Sequence, residues 1–411
     1  MDSREERIDQ AWCSGLTEPD RRPIYEWAHE HIVLPAGLYA VGGRFDVNYR
    51  RPLIALFDAI QNPAIRRVRF RKPTQFGGTL LAEICIPYFM CVSPCSMLWN
   101  FHTNDEARGH MKEKGLPLWR GIAPLMALMP RERHNLLNTE IYFPGGFLVV
   151  QGANLGNFQR KGVRVMFNDE LHMPVWQDLY DQALHRKRAF ELSGNDLVVD
   201  VSQCGMVGDV EDRNWQSGHQ AIWGYKGTDG KHHQLTMYGK RPDGSKFGLV
   251  WNDDAQKDGK WNVARAIETC RYEAETTGQV WTDDRKALAE WNRDGAYIVT
   301  NPTANPSSVS FAVNALMSRT FAAIVDEKIR ALELGDRGDM SLNKVFRQKT
   351  ETLPWTEIHL TVELSITRAG YRYSDYAAGE KWEGETRRVM TMDRQHGKGK
   401  DMPHRWVEIR A

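Results

Sequence analysis

The sequence predicts an α/β protein whose core is a parallel sheet flanked by helices. From Arg66 onward, short apolar or β-branched runs alternate with helical patterns, which is the order expected of parallel strands joined by helices. The first of these strands runs directly into a loop with adjacent glycines, Gly77 and Gly78, and then into a helix. A later strand closes on two carboxylates, Asp169 and Glu170, at the end of a strand where α/β sheets bind ligands.

Length and composition favour a globular protein with several domains. The 411 residues are 41% hydrophobic, which is enough to bury more than one core of ordinary size. The net charge of +1 means that any nucleic-acid binding depends on local patches. The most apolar stretch, 80–99, is interrupted by a glutamate and two prolines, so no membrane span is expected. The cysteines follow no secretion signal, and we interpret them as reduced thiols in a cytoplasm.

Residues 1–65 form a predicted N-terminal segment. It contains a helix over Ile24–His31, a loop rich in glycine and arginine, and a helix over 52–60 that begins with proline, as the first turn of a helix often does. Residues 66–210 form the predicted sheet domain. Its strands are expected over 68–70, 97–101, 163–167 and 197–201, its helices over 79–90 and 105–114, and a hairpin over 140–151.

Three further segments are predicted after this domain. The sheet is expected to end near residue 210, because residues 211–300 become rich in Trp, Gly, Asp and Lys and in turn-forming groups; they are predicted to be a small β-rich insert. Residues 301–385 are predicted to be a helical linker, with helices over 318–334 and 342–349 and a loop from residue 350. Residues 386–411 carry a final apolar strand over 388–392.

The segment from Arg71 to Thr79 lies where a phosphate loop belongs, directly after a strand and directly before a helix. Such a loop points backbone N–H groups at phosphates and needs a lysine for the terminal phosphates and a hydroxyl for Mg²⁺. Thr79 supplies the hydroxyl. Gly78 takes the usual lysine position, so the nearest lysine is Lys72 at the start of the loop. Taken alone, the segment also fits a plain glycine-rich turn with a solvated lysine.

The acid pair supplies a second observation. Asp169 would hold Mg²⁺ through water, and Glu170 would orient or deprotonate the water that attacks the γ-phosphate of ATP. A helix N-cap with an acidic first turn is the alternative. The loop and the acids occur in the expected order, each at the end of a predicted strand. Together they predict a P-loop NTPase fold and ATP hydrolysis.

A third strand, 197–201, ends in the polar residues Ser202 and Gln203. We interpret them as candidates for sensing the γ-phosphate and coupling it to movement. An ordinary polar loop is the alternative interpretation.

These residues, in this order, resemble the large terminase subunit of tailed bacteriophages, of the lambda type, in which the loop lysine stands at the start of the motif. Lys72 through Thr79 resembles the deviant Walker A loop of that family, and Gly152-Ala153-Asn154 is similar to the stretch ahead of its Walker B acids. The segments 26–35, 247–251 and 311–316 are similar to its N-terminal segment, its insert and the segment before its linker. The resemblance therefore spans nearly the whole chain.

The resemblance implies an ATP-driven motor that translocates double-stranded viral DNA into a procapsid, in the cytoplasm of the host cell and without a membrane. The implied catalytic residues are Lys72 and Glu170, and Thr79 and Asp169 would hold Mg²⁺. ATP would be bound by Lys72, Gln75, Gly77, Gly78 and Thr79, with coupling through Ser202 and Gln203. The implied partners are the small terminase subunit, the portal protein and other copies of the chain.

Two departures from the family pattern concern metal sites. Similar proteins often carry paired cysteines for a zinc ribbon in the insert, whereas Cys270 stands alone here, so no zinc is expected. The segment 388–393 resembles the first strand of the family's RNase H-like nuclease, with Asp393 as its first metal-binding aspartate. Two-metal cleavage needs several carboxylates, so we expect a truncated nuclease domain without endonuclease activity.

Basic residues near the site are candidates for other contacts. Arg66, Arg67, Arg69 and Arg71, and the pair Arg160-Lys161, are either DNA-phosphate contacts or solvated sheet ends. Arg160 or Lys161 is alternatively a candidate for the role of an arginine finger. Two other functions stay open. Another P-loop translocase, of the helicase type, would be expected to show a second motor domain, and a non-catalytic prophage remnant would not hydrolyse ATP.

Overall fold

The computed structural model describes residues 20, 22–129, 139–159 and 162–356, together with two strands at 389–394 and 405–410. The chain divides into two compact units, Met1–Thr356 and Glu357–Ala411. The strands of the first unit are β1 (Val33–Leu34), β2 (Gly43–Arg44), β3 (Arg67–Arg71), β4 (Met97–Phe101), β5 (Glu140–Phe143), β6 (Gly146–Gly152), β7 (Val165–Asp169), β8 (Leu197–Ser202), β9 (Ala221–Lys226), β10 (His232–Gln234), β11 (Tyr238–Lys240), β12 (Lys246–Val250), β13 (Gln256–Lys257), β14 (Lys260–Trp261), β15 (Arg271–Glu273), β16 (Val280–Trp281), β17 (Ala296–Val299) and β18 (Ser308–Ala312).

The α-helices of this unit cover both faces of its main sheet. They are α1 (Ile24–His31), α2 (Pro52–Gln61), α3 (Gly78–Val92), α4 (Asn104–His110), α5 (Leu116–Trp119), α6 (Ala123–Leu128), α7 (Trp176–Leu184), α8 (Arg188–Glu191), α9 (Val210–Gln216), α10 (Val263–Thr269), α11 (Asp284–Asp294), α12 (Phe321–Gly335) and α13 (Ser341–Phe346). The predicted alternation of strands and helices between residues 66 and 202 is therefore confirmed.

The main sheet has 10 strands in the order β10-β9-β18-β3-β8-β7-β4-β6-β5, with β17 also paired to β9. Neighbouring strands from β9 to β6 run parallel, and the outer pairs are antiparallel. Thus β8 lies between β3, which leads into the phosphate loop, and β7, which carries the acids. Because the carboxyl ends of parallel strands meet at one edge, this order brings together the loop, the acids and the polar cluster formed by Ser202 and Gln203.

The expectation that the sheet ends near residue 210 is wrong. Strand β18 pairs with β3 in the middle of the sheet, and β9, β10 and β17 extend the same sheet. Only part of the predicted insert forms a sheet of its own, in the order β11-β12-β15-β16. The pairing of β18 with β3 joins residues far apart in the chain, so local sequence patterns carry no sign of it.

Two apolar cores pack on the two faces of the main sheet. The larger contains most of α3, which is buried nearly all round and so accounts for the apolar run at 80–99. The smaller lies under α7 and includes Trp176 and Val198. Within the described ranges, no helix is both long and apolar enough to cross a membrane.

A buried ion pair ties β3 to α9. Arg71, 4% exposed, donates from Nε and Nη2 to the two carboxylate oxygens of Glu211 over 2.8 and 3.0 Å, and from Nη2 to Asp212 over 3.2 Å. Replacing Glu211 by alanine would leave the guanidinium buried with one carboxylate. We expect a loss of about 3–5 kcal/mol in the free energy of unfolding, measured by urea denaturation.

The exposed pair between Arg265 and Glu268 supplies the control for this substitution. Glu268→Ala should leave the free energy of unfolding almost unchanged, because water already solvates both of these charges. Equal effects of the two substitutions would contradict the role given to the buried pair.

The second unit contains β19 (Val389–Arg394) and β20 (Arg405–Arg410), paired antiparallel. A strand thus lies where the sequence predicts one. The role of Asp393 as a nuclease metal ligand stays a prediction.

Candidate active site

The phosphate loop, residues 72–77, is held at the carboxyl edge of the sheet. The backbone N–H of Lys72 donates to the carbonyl of Ser202 on β8 over 3.0 Å. Gln75 (φ 58°) and Gly77 (φ 97°) both adopt the left-handed region, which costs little for glycine but strains glutamine. The loop then enters α3, whose first N–H groups are free of helical partners and suited to an anion.

Lys72 and Gly78 are packed against each other. A Cβ added at Gly78 would lie 2.4 Å from Cε of Lys72 and 2.3 Å from Cγ1 of Val201. The aliphatic chain of Lys72 therefore passes over the backbone at the position where the usual motif has its lysine. Glycine at position 78 is thus required both by the close approach of Val201 and by the lysine chain that enters from the start of the loop.

Thr79 and Asp169 supply oxygen atoms for a magnesium ion. The hydroxyl of Thr79 donates to Oδ2 of Asp169 over 2.8 Å, and Asp169 is buried at the end of β7. Burial and the neighbouring charge of Glu170 raise the pKa of Asp169, whereas Lys72 opposes this shift. A divalent ion prefers such a pair of oxygen ligands and would favour the charged carboxylate, so these residues fit Mg²⁺.

Glu170 is the most densely contacted carboxylate of the site. It adopts φ 54°, and its Oε1 lies 3.1 Å from Nζ of Lys72. Nδ1 of His172 lies 3.0 Å from Oε2, and Nε2 of Gln203 donates to the same oxygen over 3.3 Å. Burial alone would raise the pKa of Glu170, but the hydrogen bond from His172 and the charge of Lys72 outweigh it and lower the pKa. Glu170 is therefore an ionised carboxylate.

Ser202 and Gln203 lie against both the loop and the acid. Gln203 contacts Glu170 from its amide nitrogen and accepts a hydrogen bond from the hydroxyl of Thr74 over 3.3 Å. The hydroxyl of Ser202 accepts the backbone N–H of His172 over 3.0 Å. The end of β8 thus touches the segment after β7 and the phosphate loop at once.

Two residues at the site were missed in the sequence. His172 follows the acid pair with no motif to mark it. Arg50 comes from the N-terminal segment, donates to the carbonyl of Gln75 over 3.2 Å and lies 4.8 Å from the ring centroid of Phe76. Within the described residues it forms no ion pair, so an unneutralised guanidinium lies beside the phosphate loop. In the sequence, the only sign of this position for Arg50 is that it belongs to a loop rich in glycine and arginine.

The four arginines of β3 and its start are engaged inside the protein. Arg66 and Arg67 pair with Asp196, Arg69 faces Asp200 at 4.0 Å, and Arg71 pairs with Glu211. Because carboxylates on neighbouring elements pair with them, these arginines are not simply solvated sheet ends, and DNA contact stays a prediction. Arg160 and Lys161 lie outside the described residues, and the arginine-finger assignment stays a prediction.

The insert shows half-buried Cys270 without a metal cluster around it. In the part of the chain that the structure describes, no group of three or more His, Cys, Asp or Glu side chains could hold a metal ion. The expectation that the protein lacks zinc stays a prediction.

Comparison with known proteins finds similar solved structures and one matching family. The large terminase of bacteriophage HK97 is similar over 82% of this chain and 56% of its own, at 13% identity and a TM-score of 0.45. The large terminase ATPase domain of Thermus phage P74-26 is similar over 72% of this chain and 91% of its own, at 12% identity and a TM-score of 0.36. No curated protein sequence matches significantly. The family described as phage terminase large subunit gpA, ATPase domain, matches residues 40–294, a range that includes the phosphate loop, the acid pair and the polar cluster. The chain belongs to the phage terminase large subunit family and carries its ATPase domain.

Proposed function

We propose that this chain is the ATP-driven motor of viral DNA packaging and moves double-stranded DNA into a procapsid in the cytoplasm of the infected cell. The observation that carries the proposal is the meeting of Lys72, Thr79, Asp169 and Glu170 at one edge of the sheet. Membership of the terminase family supports the ATPase part of this proposal.

Each residue of the site has one task in hydrolysis. The backbone of the phosphate loop and the start of α3 would bind the phosphates. Lys72 would break its ion pair with Glu170 and bind the terminal phosphates instead. Thr79 and Asp169 would hold Mg²⁺, which when bound neutralises charge on the β- and γ-phosphates. Glu170 would then accept a proton from the water that attacks the γ-phosphate, giving ADP and inorganic phosphate.

Coupling to DNA would begin at Gln203. Its side chain contacts the acid that faces the attacking water and also the hydroxyl of Thr74 in the loop. Loss of the γ-phosphate would change both contacts, and β8 would transmit the change. The small terminase subunit, the portal protein and further copies of the chain are the partners that a packaging motor needs.

Stimulation of ATP hydrolysis by DNA tests this function. We expect double-stranded DNA to raise kcat several-fold, and single-stranded DNA of the same length to have a much smaller effect. A preference for single strands would favour a translocase of the helicase type instead. A rate of ATP hydrolysis that is the same with and without DNA would contradict the assignment as a packaging motor.

A further inference from the structure

One transverse row of side chains in the main sheet is polar in every strand from β18 to β6. We call this row the polar rung; its members, paired in register, are Ser310, Arg69, Asp200, Asn168, Asn100 and Gln151. The preceding row on the same face is apolar in four of these strands, with Val198, Met166, Leu98 and Val149. In these four strands, the side chains on this face therefore change from apolar to polar at the same level of the sheet.

Side-chain contacts connect the polar rung across the sheet. The amide of Gln151 donates to Asn100 over 3.2 Å, Asn100 donates to Asn168 over 2.8 Å, and Asn168 donates to Asp200 over 2.7 Å. Nε of Arg69 lies 4.0 Å from Oδ2 of Asp200. The contacts therefore run without a break from β6 to β3.

Asp200 is the centre of this network. From α7, the hydroxyl of Tyr180 donates to its Oδ2 over 2.5 Å, and from α9, the amide of Asn214 donates to the same oxygen over 3.5 Å. Its carboxylate thus has partners on both neighbouring strands and on the two helices that cover this face.

Stability alone does not account for the polar rung. Asn100 is fully buried, Asn168 is 1% exposed and Asp200 is 4% exposed. Burying such groups is costly even when they are paired, and well-packed apolar side chains are often at least as stabilising at such positions. What paired polar groups add is a fixed mutual orientation, because hydrogen bonds are directional whereas apolar contacts are not.

The polar rung lies directly below the three segments of the site. Asn168 immediately precedes Asp169 on β7, Asp200 lies two residues before Ser202 on β8, and Arg69 is separated by two residues from Lys72. A shift of one strand against another at this level would displace the side chains at the strand ends.

We propose that Asp200 is a positioning residue for ATP hydrolysis, whose carboxylate fixes β3, β7 and β8 relative to one another so that Lys72, the acid pair and Gln203 keep their mutual geometry. The inference rests on the proposed function, since it assumes that these residues hydrolyse ATP. Asp200 itself does not touch the reacting groups.

The test is the variant Asp200→Asn, which keeps the shape of the side chain and removes its charge. We expect kcat to fall about 10- to 100-fold, because small misplacements of reacting groups have effects of this size. KM for ATP should change little, since the loop itself is intact, and the Mg²⁺ concentration for half-maximal rate should rise. Val198→Ala, on the same face of the same strand but in the apolar row, is the control and should keep its kcat.

The outcomes separate the two proposals. If Asp200→Asn keeps the wild-type kcat, the positioning role is overturned and the proposed function is left intact. If kcat falls equally in Asp200→Asn and Val198→Ala, the rate follows the stability of the protein, and the positioning role is again overturned while the proposed function stands. An inert wild-type chain overturns both. If Asp200→Asn does not fold, Tyr180→Phe removes one hydrogen bond from the same carboxylate; the same readouts then apply, with an expected several-fold loss of kcat.

Discussion

Replacing Glu170 by glutamine is expected to lower kcat for ATP hydrolysis by about 100- to 10,000-fold, the range that a general base contributes. The amide keeps the size of the side chain but cannot accept the proton. Glu170→Gln also removes the ion pair with Lys72, 3.1 Å away, so the lysine is free for phosphate. ATP affinity should therefore be unchanged or higher. Steady-state hydrolysis and equilibrium binding of ATP measure the two effects separately.

The control for this variant is Glu113→Gln, on an exposed part of the chain away from the site. It should hydrolyse ATP at the wild-type rate. If Glu170→Gln kept more than about a tenth of the wild-type kcat, the assignment of Glu170 as the base would be wrong, because the residual rate would exceed what positioning and charge alone provide.

Gly78→Ala is expected to lower kcat/KM for ATP by about 100-fold, the scale that follows when a catalytic group is displaced by about 1 Å. The new methyl group would lie 2.3 Å from Val201 and 2.4 Å from Cε of Lys72. Val201 is packed in the sheet, so the start of α3 must shift away from it, and the flexible lysine chain must move as well, which takes its ammonium group from its place in the site.

Gly109→Ala gives a matched control, because a Cβ at Gly109 in α4 would meet nothing within 4 Å. We expect it to retain the wild-type kcat/KM. Both variants should be compared by thermal unfolding as well as by ATP binding. A fully active Gly78→Ala would falsify the path assigned to Lys72.

The features predicted from the sequence are local ones. The fold class is confirmed, and the motif order brought Lys72, Thr79 and the acid pair to one edge because parallel strands end on the same side. Gly78 departs from the usual motif, and its physical reason is seen only in three dimensions, where Val201 and the chain of Lys72 fill the space that a side chain would need.

The features that were missed depend on long-range pairing. Nothing near Ser308–Ala312 indicates that this strand lies beside β3, and so the sheet was expected to end too early. The arginines of β3 looked free because their partners, such as Asp196 and Glu211, come from distant segments. The polar rung is invisible for the same reason, since each strand contributes a single polar residue to it.

The most direct test of the central claim is the rate of Mg²⁺-dependent ATP hydrolysis by the purified chain, measured beside Lys72→Ala and Glu170→Gln. If the deviant loop and the acid pair form one working site, the wild type hydrolyses ATP and both variants lose most of the activity. A wild type that is inert with ATP, Mg²⁺ and double-stranded DNA would contradict the claim and favour a non-catalytic prophage remnant. Full activity in Lys72→Ala would contradict it equally, because the loop would then lack its phosphate-binding lysine.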